Sequence, residues 1–302
     1  MLFEAFKAFI IGLVEGITEW LPISSTGHMI LVDEFLKLDV SDAFLGLFLV
    51  VIQIGAIMAV IILYFHKLNP FSPKKTAAER KSTWRLWGMV VVGCLPAAVV
   101  GILLDDWVEE HVFNAYVVSA ALIVYGIIFI VMEHRNRRLL AQVPAVAGKH
   151  AKPSEDGQGS GLFKIESVDE IDAATALKIG LFQCLAIIPG TSRSGSTIIG
   201  GMLAGCSRVA AAEFTFFLAI PVMLGWGLLK AVKFLLAGMV MTSTEIVVLV
   251  VGIVTAFVVS VLSIKFLMGY IKKNDFAAFG WYRIVVGVAV LGYFGVKALG
   301  IL

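Results

Sequence analysis

The chain has 302 residues, of which 59% are hydrophobic and 15% charged, with a net charge of +2 and a mean hydropathy of +0.94. A soluble domain carries about 25% charged residues, so too few polar side chains remain here to cover a water-facing surface. That excludes a disordered chain, a disulfide-stapled secreted module and a nucleic-acid binder relying on a broad basic face. It predicts an all-α polytopic membrane protein.

The first apolar region, roughly 5–38, is broken in its middle by Pro, Gly and hydroxyl residues. It does not read as a signal peptide, because its apolar run contains Glu15 and Glu19 and no cleavage-like site follows. Uninterrupted stretches long enough to cross a bilayer follow at about 43–65, 84–104 and 112–132. A polar segment rich in Gly, Ser, Lys and Glu over 146–167 reads as a flexible linker. A second broken apolar region spans 173–205, and three more crossings are expected near 209–237, 245–269 and 279–300. Each half of a broken region is too short to cross alone, so both predict re-entrant helix–loop–helix hairpins. Such backbone is tolerated at membrane depth where protein buries it or where it lines a wet cavity. Cys94, Cys184 and Cys206 all lie in apolar surroundings and read as small buried thiols.

Lysine and arginine concentrate in alternate loops. Lys67, Lys74, Lys75, Arg80 and Lys81 fall in 66–83, Arg135, Arg137 and Arg138 open 133–172, and Lys272 and Lys273 sit in 270–278. The intervening 105–111 loop carries only acidic charge and 238–244 carries none. The bias places the basic segments inside and both termini outside; Lys230 and Lys233, near an outer end, read as snorkelling side chains.

The two halves resemble each other. At an offset of 168, Ile11-Gly12-Leu13 matches Ile179-Gly180-Leu181, Glu15 matches Gln183, Ser24 matches Ser192 and Gly27 matches Gly195. This divides the single membrane domain 1–302 into repeat 1 at 1–132, an inner linker at 133–172 and repeat 2 at 173–302. Because each repeat has one hairpin and three crossings, the second must be inverted, and inverted repeats with broken helices place their working groups near the midplane.

Charges inside apolar segments point to function. Glu15 and Glu19, four residues apart, share one helix face and repel unless a cation lies between them. A divalent metal, Mg²⁺ or Ca²⁺, would answer that; two partly solvated carboxylates near the interface would need none. The adjoining turn, Ser24-Ser25-Thr26-Gly27-His28, offers hydroxyls, a flexible backbone and an imidazole. A helix starting near Thr26 would aim its free N–H groups at an anion, although a simple Ser/Thr cap has the same composition. Thr191-Ser192-Arg193-Ser194 in the second hairpin brings a guanidinium suited to phosphate oxygens, or one that pairs structurally with Glu15 or Glu19. Together these groups suit metal-assisted hydrolysis of a phosphoanhydride. Arg208 and Glu213 read as interfacial or paired, Arg283 as an interface anchor, and Gln53 and Gln183 as interhelical amides.

The strings Glu15-Gly16-Ile17-Thr18-Glu19-Trp20-Leu21-Pro22-Ile23-Ser24-Ser25-Thr26-Gly27-His28 and Pro189-Gly190-Thr191-Ser192-Arg193-Ser194 resemble those of the undecaprenyl pyrophosphate phosphatases, the bacitracin-resistance family, with Trp20 where Phe is usual. The resemblance covers essentially the whole chain. It implies an inner-membrane enzyme with its site open to the outer face, hydrolysing undecaprenyl pyrophosphate to the monophosphate for lipid-carrier recycling in cell-wall synthesis. It also implies bacitracin resistance, divalent-metal dependence and homodimers, and involves no nucleic acid. Carried over by position, Glu15 and Glu19 bind metal or pyrophosphate, Arg193 binds phosphate, and Ser25 and His28 sit at the reacting phosphorus. Ser24, Thr26, Gly27, Thr191, Ser192 and Ser194 would line the substrate. Ser25 as nucleophile with His28 as its base is the expectation, His28 attacking the alternative. Two other classes compete. A flippase for a phosphorylated polyprenyl lipid would share the inverted repeat. A type-2 phosphatidate phosphatase would need a second His after Ser192-Arg193, which is missing.

Overall fold

The computed structural model describes residues 1–142 and 163–300. Its helices are α1 (Leu2–Thr18), α2 (Ser25–Phe35), α3 (Asp42–Leu63), α4 (Phe65–Leu68), α5 (Ala77–His111), α6 (Ala115–Gln142), α7 (Ala173–Cys184), α8 (Arg193–Leu203), α9 (Arg208–Leu236), α10 (Ser243–Ile271) and α11 (Ala277–Ala298). Short 3₁₀ turns lie at Val168–Glu170 and Leu185–Ile187. Among the described residues there is no strand, only an isolated bridge between Ile165 and Cys206. Six helices, α3, α5, α6, α9, α10 and α11, are long and apolar enough to cross a bilayer, and they coincide with the six expected crossings. The chain is an all-α, multi-pass membrane protein. Most of the expected flexible linker falls on 143–162, outside the described residues.

Helix starts follow the capping residues. Thr76 and Thr242 form capping boxes with Glu79 and Glu245. Asp172 accepts from the Thr175 N–H at 2.8 Å to start α7, a bond that holds its carboxyl below the usual range. One boundary differs from expectation. The acidic stretch 105–111 is not a loop: α5 runs on to His111, since nothing in it breaks a helix before the chain reaches Asn114.

Polar contacts gather at the two ends of the bundle. At one end Lys67 meets Glu213 at 2.9 Å, Arg208 meets Glu133 at 2.6 Å and Arg137 meets Asp275 at 2.5 Å, so the three basic segments converge there. At the other, the Asp39 N–H donates to Glu4 at 2.9 Å, Ser41 to Glu245 at 2.8 Å, and Lys297 pairs with Glu34. The chain entering each broken region is hydrogen-bonded to the chain leaving it. The α1–α2 pair closes through Glu4 and Asp39. The α7–α8 pair closes through the Gly205 carbonyl, which accepts from the Lys164 N–H at 3.0 Å.

α1 packs on α10, and α7 packs on α5. These contacts are close enough to require glycine. A Cβ on Gly12 would sit 2.7 Å from the Gly252 carbonyl oxygen, and one on Gly180, the residue 168 positions later, would collide with the Gly93 backbone. α9 supplies much of the central core through Phe214, Phe216 and Phe217, all fully buried. Trp20 packs edge-on against Phe216 at 5.4 Å between ring centroids. Its indole Nε1 has no hydrogen-bond partner among the described residues, so the ring serves packing and a Phe would meet the same need.

Candidate active site

The chain breaks twice in the same way. Ser24 and Ser192 have φ of 72° and 74°, the two positive values at non-glycine positions among the described residues. Such backbone costs about 1–3 kcal/mol at each residue and persists only where the surroundings fix it. Both serines then cap the following helix: the Gly27 N–H donates to Ser24 Oγ at 3.3 Å and the Gly195 N–H to Ser192 Oγ at 3.2 Å. The capped helices are both 11 residues long and start 168 residues apart. Both helix starts, Ser25–Thr26 and Ser192–Arg193, reach one cavity.

A cavity of about 180 Å³ lies where the helix starts meet, lined by Glu19, Ser25, Thr26, Ser192, Arg193 and Gln53 among others. Ser25 Oγ donates to Glu19 Oε2 at 2.9 Å. Arg193 Nη2 donates to the other oxygen, Oε1, at 3.1 Å, while Nη1 donates to the Thr215 carbonyl at 3.0 Å. Glu19 thus links a hydroxyl from one hairpin to a guanidinium from the other. Ser194 Oγ donates to the Glu19 carbonyl at 3.1 Å and fixes the backbone that carries this carboxylate.

Other expected residues sit farther back. Glu15 is buried one turn behind Glu19 and outside the cavity lining; its Oε1 has no hydrogen-bond partner among the described residues. Thr191 and Gly27 are buried, Gly27 in the first turn of α2. His28 is turned away from Ser25's bond to Glu19. Its Nδ1 lies 2.7 Å from the Ser24 carbonyl and its Nε2 2.8 Å from the Tyr282 hydroxyl. A carbonyl only accepts, so Nδ1 carries the proton and Nε2 accepts from Tyr282. The geometry gives Ser25 a carboxylate neighbour where an imidazole was expected.

Arg283 corrects the sequence reading. It is fully buried, not an interface anchor, because α11 begins at Ala277 and carries it about 9 Å into the span at 1.5 Å per residue. Its Nη1 donates to the Pro22 carbonyl at 3.1 Å, and Nη2 to the Gly190 and Thr191 carbonyls at 2.9 and 2.8 Å. One guanidinium thereby ties both turns together. The available signal was a buried-type charge inside an apolar span, which deserves a partner by default. Arg208 and Glu213 are paired, as expected.

Beyond the polar cavity, a groove of about 450 Å³ shares Thr26, Ala186 and Trp226 with it. Leu49, Val50, Val108, Phe113 and Ile187 line it, together with Lys230. A polar pocket continuous with an apolar groove fits an amphiphile.

Residues 8–289 match the model of the family described as bacitracin resistance protein BacA. The chain belongs to the BacA family. Among relatives, it is 54% identical over 294 residues to the undecaprenyl-diphosphatase of Enterococcus faecalis, covering 97% of this chain and 99% of that one. It is 53% identical over 293 residues to the undecaprenyl-diphosphatase of Lactiplantibacillus plantarum, at 97% and 98% coverage. Undecaprenyl-diphosphatase 1 of Clostridioides difficile is also 53% identical over 293 residues, covering 97% of each. The matched region takes in both broken regions apart from the start of α1, and all six crossings apart from the end of α11.

Proposed function

We infer that this protein is an undecaprenyl-diphosphatase, which hydrolyses undecaprenyl pyrophosphate to undecaprenyl phosphate and inorganic phosphate. The observation that carries the reading is Ser25 bonded to Glu19, which is paired in turn with Arg193, on the wall of a pocket opening to an apolar groove. The diphosphate occupies the pocket and the polyprenyl tail the groove. Ser25 Oγ attacks the terminal phosphorus and its proton passes to Glu19. The bond from that phosphorus to the bridging oxygen breaks, and undecaprenyl phosphate leaves with the electron pair. Glu19 passes its proton to the departing phosphate oxygen. Water then attacks the phosphoserine with its proton passing to Glu19, the bond from phosphorus to Ser25 Oγ breaks, and Ser25 recovers that proton as phosphate leaves. Arg193 and the N-termini of α2 and α8 neutralise charge on the transferring phosphoryl oxygens.

Glu15 and Glu19 would hold a divalent cation, Mg²⁺ or Ca²⁺. The unpartnered Glu15 Oε1 fits this role, and since no group of three His, Cys, Asp or Glu surrounds it among the described residues, waters and phosphate oxygens would complete the coordination, as Mg²⁺ accepts. When bound, such an ion supplies charge neutralisation for the diphosphate. His28, held by Ser24 and Tyr282, positions the first turn of α2.

The charge bias supports a cytoplasmic-membrane placement with the two hairpins re-entrant from opposite faces, the repeats inverted and the pocket open outward. Homodimers and bacitracin resistance belong to the same reading and rest on the family resemblance. A flippase is not favoured, because carrying a lipid gives no task to a serine bonded to a carboxylate.

Purified protein in detergent, where no second compartment exists, is expected to release phosphate from undecaprenyl pyrophosphate; binding without release overturns the activity. Rapid acid quench is expected to trap phosphoserine at Ser25, with Glu19→Gln slowing its formation about 10²–10⁴-fold. Phosphohistidine at His28 would overturn the roles of Ser25 and Glu19 and leave the activity standing.

A further inference from the structure

We propose that the basic end of the bundle carries a second anion site, for the phosphate headgroup of an anionic phospholipid. A cavity of about 770 Å³ lies between α6, α10 and α11 and shares no lining residue with the diphosphate pocket. That size is within the range of sites that hold organic ligands. The inference stands apart from the catalytic reading.

One wall is cationic. Arg137, Arg208, Lys273 and His134 line it, against the single carboxylate of Asp275. Two of the charges are cancelled locally. Arg137 pairs with Asp275, and the buried Arg208 binds Glu133 through both Nε and Nη2, at 2.9 and 2.6 Å. Glu133 is fixed from its other side by the Phe276 N–H at 3.1 Å. Lys273 is exposed and, among the described residues, has no ion-pair partner, nor has His134. The wall therefore presents an uncancelled ammonium and an imidazole beside two ion pairs, one of them buried.

The other wall is apolar, formed by Ile130, Leu140 and Trp281, with Trp281 60% exposed. A free anion would use one wall and leave the other wet. A phospholipid uses both, its phosphate on Lys273 and its glycerol and first methylenes on Trp281, the depth at which tryptophan settles in bilayers. Basic pockets between spanning helices hold phosphate headgroups for this reason.

The test uses the full chain in neutral detergent, with retention of phosphatidylglycerol against phosphatidylcholine read by native mass spectrometry. Phosphatidylglycerol is expected to be retained in preference. Lys273→Gln should weaken its retention about fivefold, the worth of one positive charge near a membrane surface. Lys273→Arg should keep it, and Lys272→Gln, next door but outside the cavity, should leave it unchanged. These side chains are exposed, so thermal midpoints without lipid and phosphate release in neutral detergent should match the parent protein. Equal loss in Lys272→Gln, or equal retention of phosphatidylcholine, overturns the site. Thermal protection by inorganic phosphate alone as strong as by phosphatidylglycerol overturns the lipid assignment in favour of a free anion.

Discussion

The two hairpins share a backbone and divide the chemistry. Residues 25–35 and 193–203 form helices of equal length, each introduced by a strained serine that caps it. Between those matched frames the side chains differ at every position that matters. Ser25 in the first stands where Arg193 stands in the second, Glu19 where Ile187 stands, Glu15 where Gln183 stands, and His28 where Ser196 stands. A duplicated turn delivers two helix N-termini to one place, and their partial positive charge suits a phosphate wherever it came from. The acid, the nucleophile and the cation then need only single substitutions on a geometry already solved. On the proposed mechanism the first hairpin is the reacting side and the second the binding side.

The largest effect is expected at Ser25. Ser25→Ala removes the proposed attacking oxygen while leaving the helix cap, which belongs to Ser24. Phosphate release should fall by about 10⁴-fold or more, the scale on which loss of a nucleophile is felt, with the thermal midpoint unchanged. Retention of a tenth of the activity would mean that the reacting group lies elsewhere. Next in size is Arg193→Lys. An ammonium keeps the charge but cannot span Glu19 and Thr215 as the planar fork does. A loss of about 10²–10³-fold in kcat is expected, as for removal of a transition-state donor, measured as steady-state phosphate release. A change in KM alone would mean that the arginine only binds.

The crossings, the two breaks, and Glu19, Ser25, Thr26, Ser192 and Arg193 each leave a local mark in the sequence, whereas Gln53, which reads as an interhelical amide, lines the same pocket. Apolar runs have lengths, broken runs contain Pro22 or Pro189, and Ser25, Glu19 and Arg193 stand out from apolar neighbours. Pairings across the fold leave no such mark. Nothing near His28 announces Tyr282, 254 residues away, and this is why an imidazole adjacent in sequence to Ser25 was expected to act on it. Arg283 was misread for a related reason: its place near a span's start looked interfacial, but its partners are carbonyls of two distant turns, which carry no side-chain signal. The strain at Ser24 and Ser192 was equally hidden, since serine gives no hint of a positive φ.

Arg283 ties the two turns together through the Pro22, Gly190 and Thr191 carbonyls, so altering it tests the hairpins from outside both. Arg283→Lys keeps a cation in a buried place but cannot reach Pro22, Gly190 and Thr191 together. Each lost bond from a charged donor is worth about 1.5–3 kcal/mol, so the thermal midpoint in detergent should drop and kcat should fall with it. The effect on rate should be smaller than that of Arg193→Lys, because Arg283 acts by positioning and lies outside the lining of the pocket. Unchanged stability with full activity would show that the two turns hold their register unaided.

The smallest effect is expected at Gln183, the counterpart of Glu15. Both its amide oxygen and nitrogen are buried without hydrogen-bond partners among the described residues. An unpaired buried amide costs stability, whereas an apolar side chain of similar shape does not. Gln183→Met should therefore leave stability unchanged or raise it by about 1 kcal/mol, with phosphate release within about threefold of the parent, a margin set by the roughly 1 kcal/mol scale of a tolerated core swap. Glu15 cannot be treated so lightly if it helps hold a cation, and that asymmetry is the point. If Gln183→Met instead disables the enzyme, the second hairpin carries a working polar group at depth, and the division of labour between the repeats is wrong.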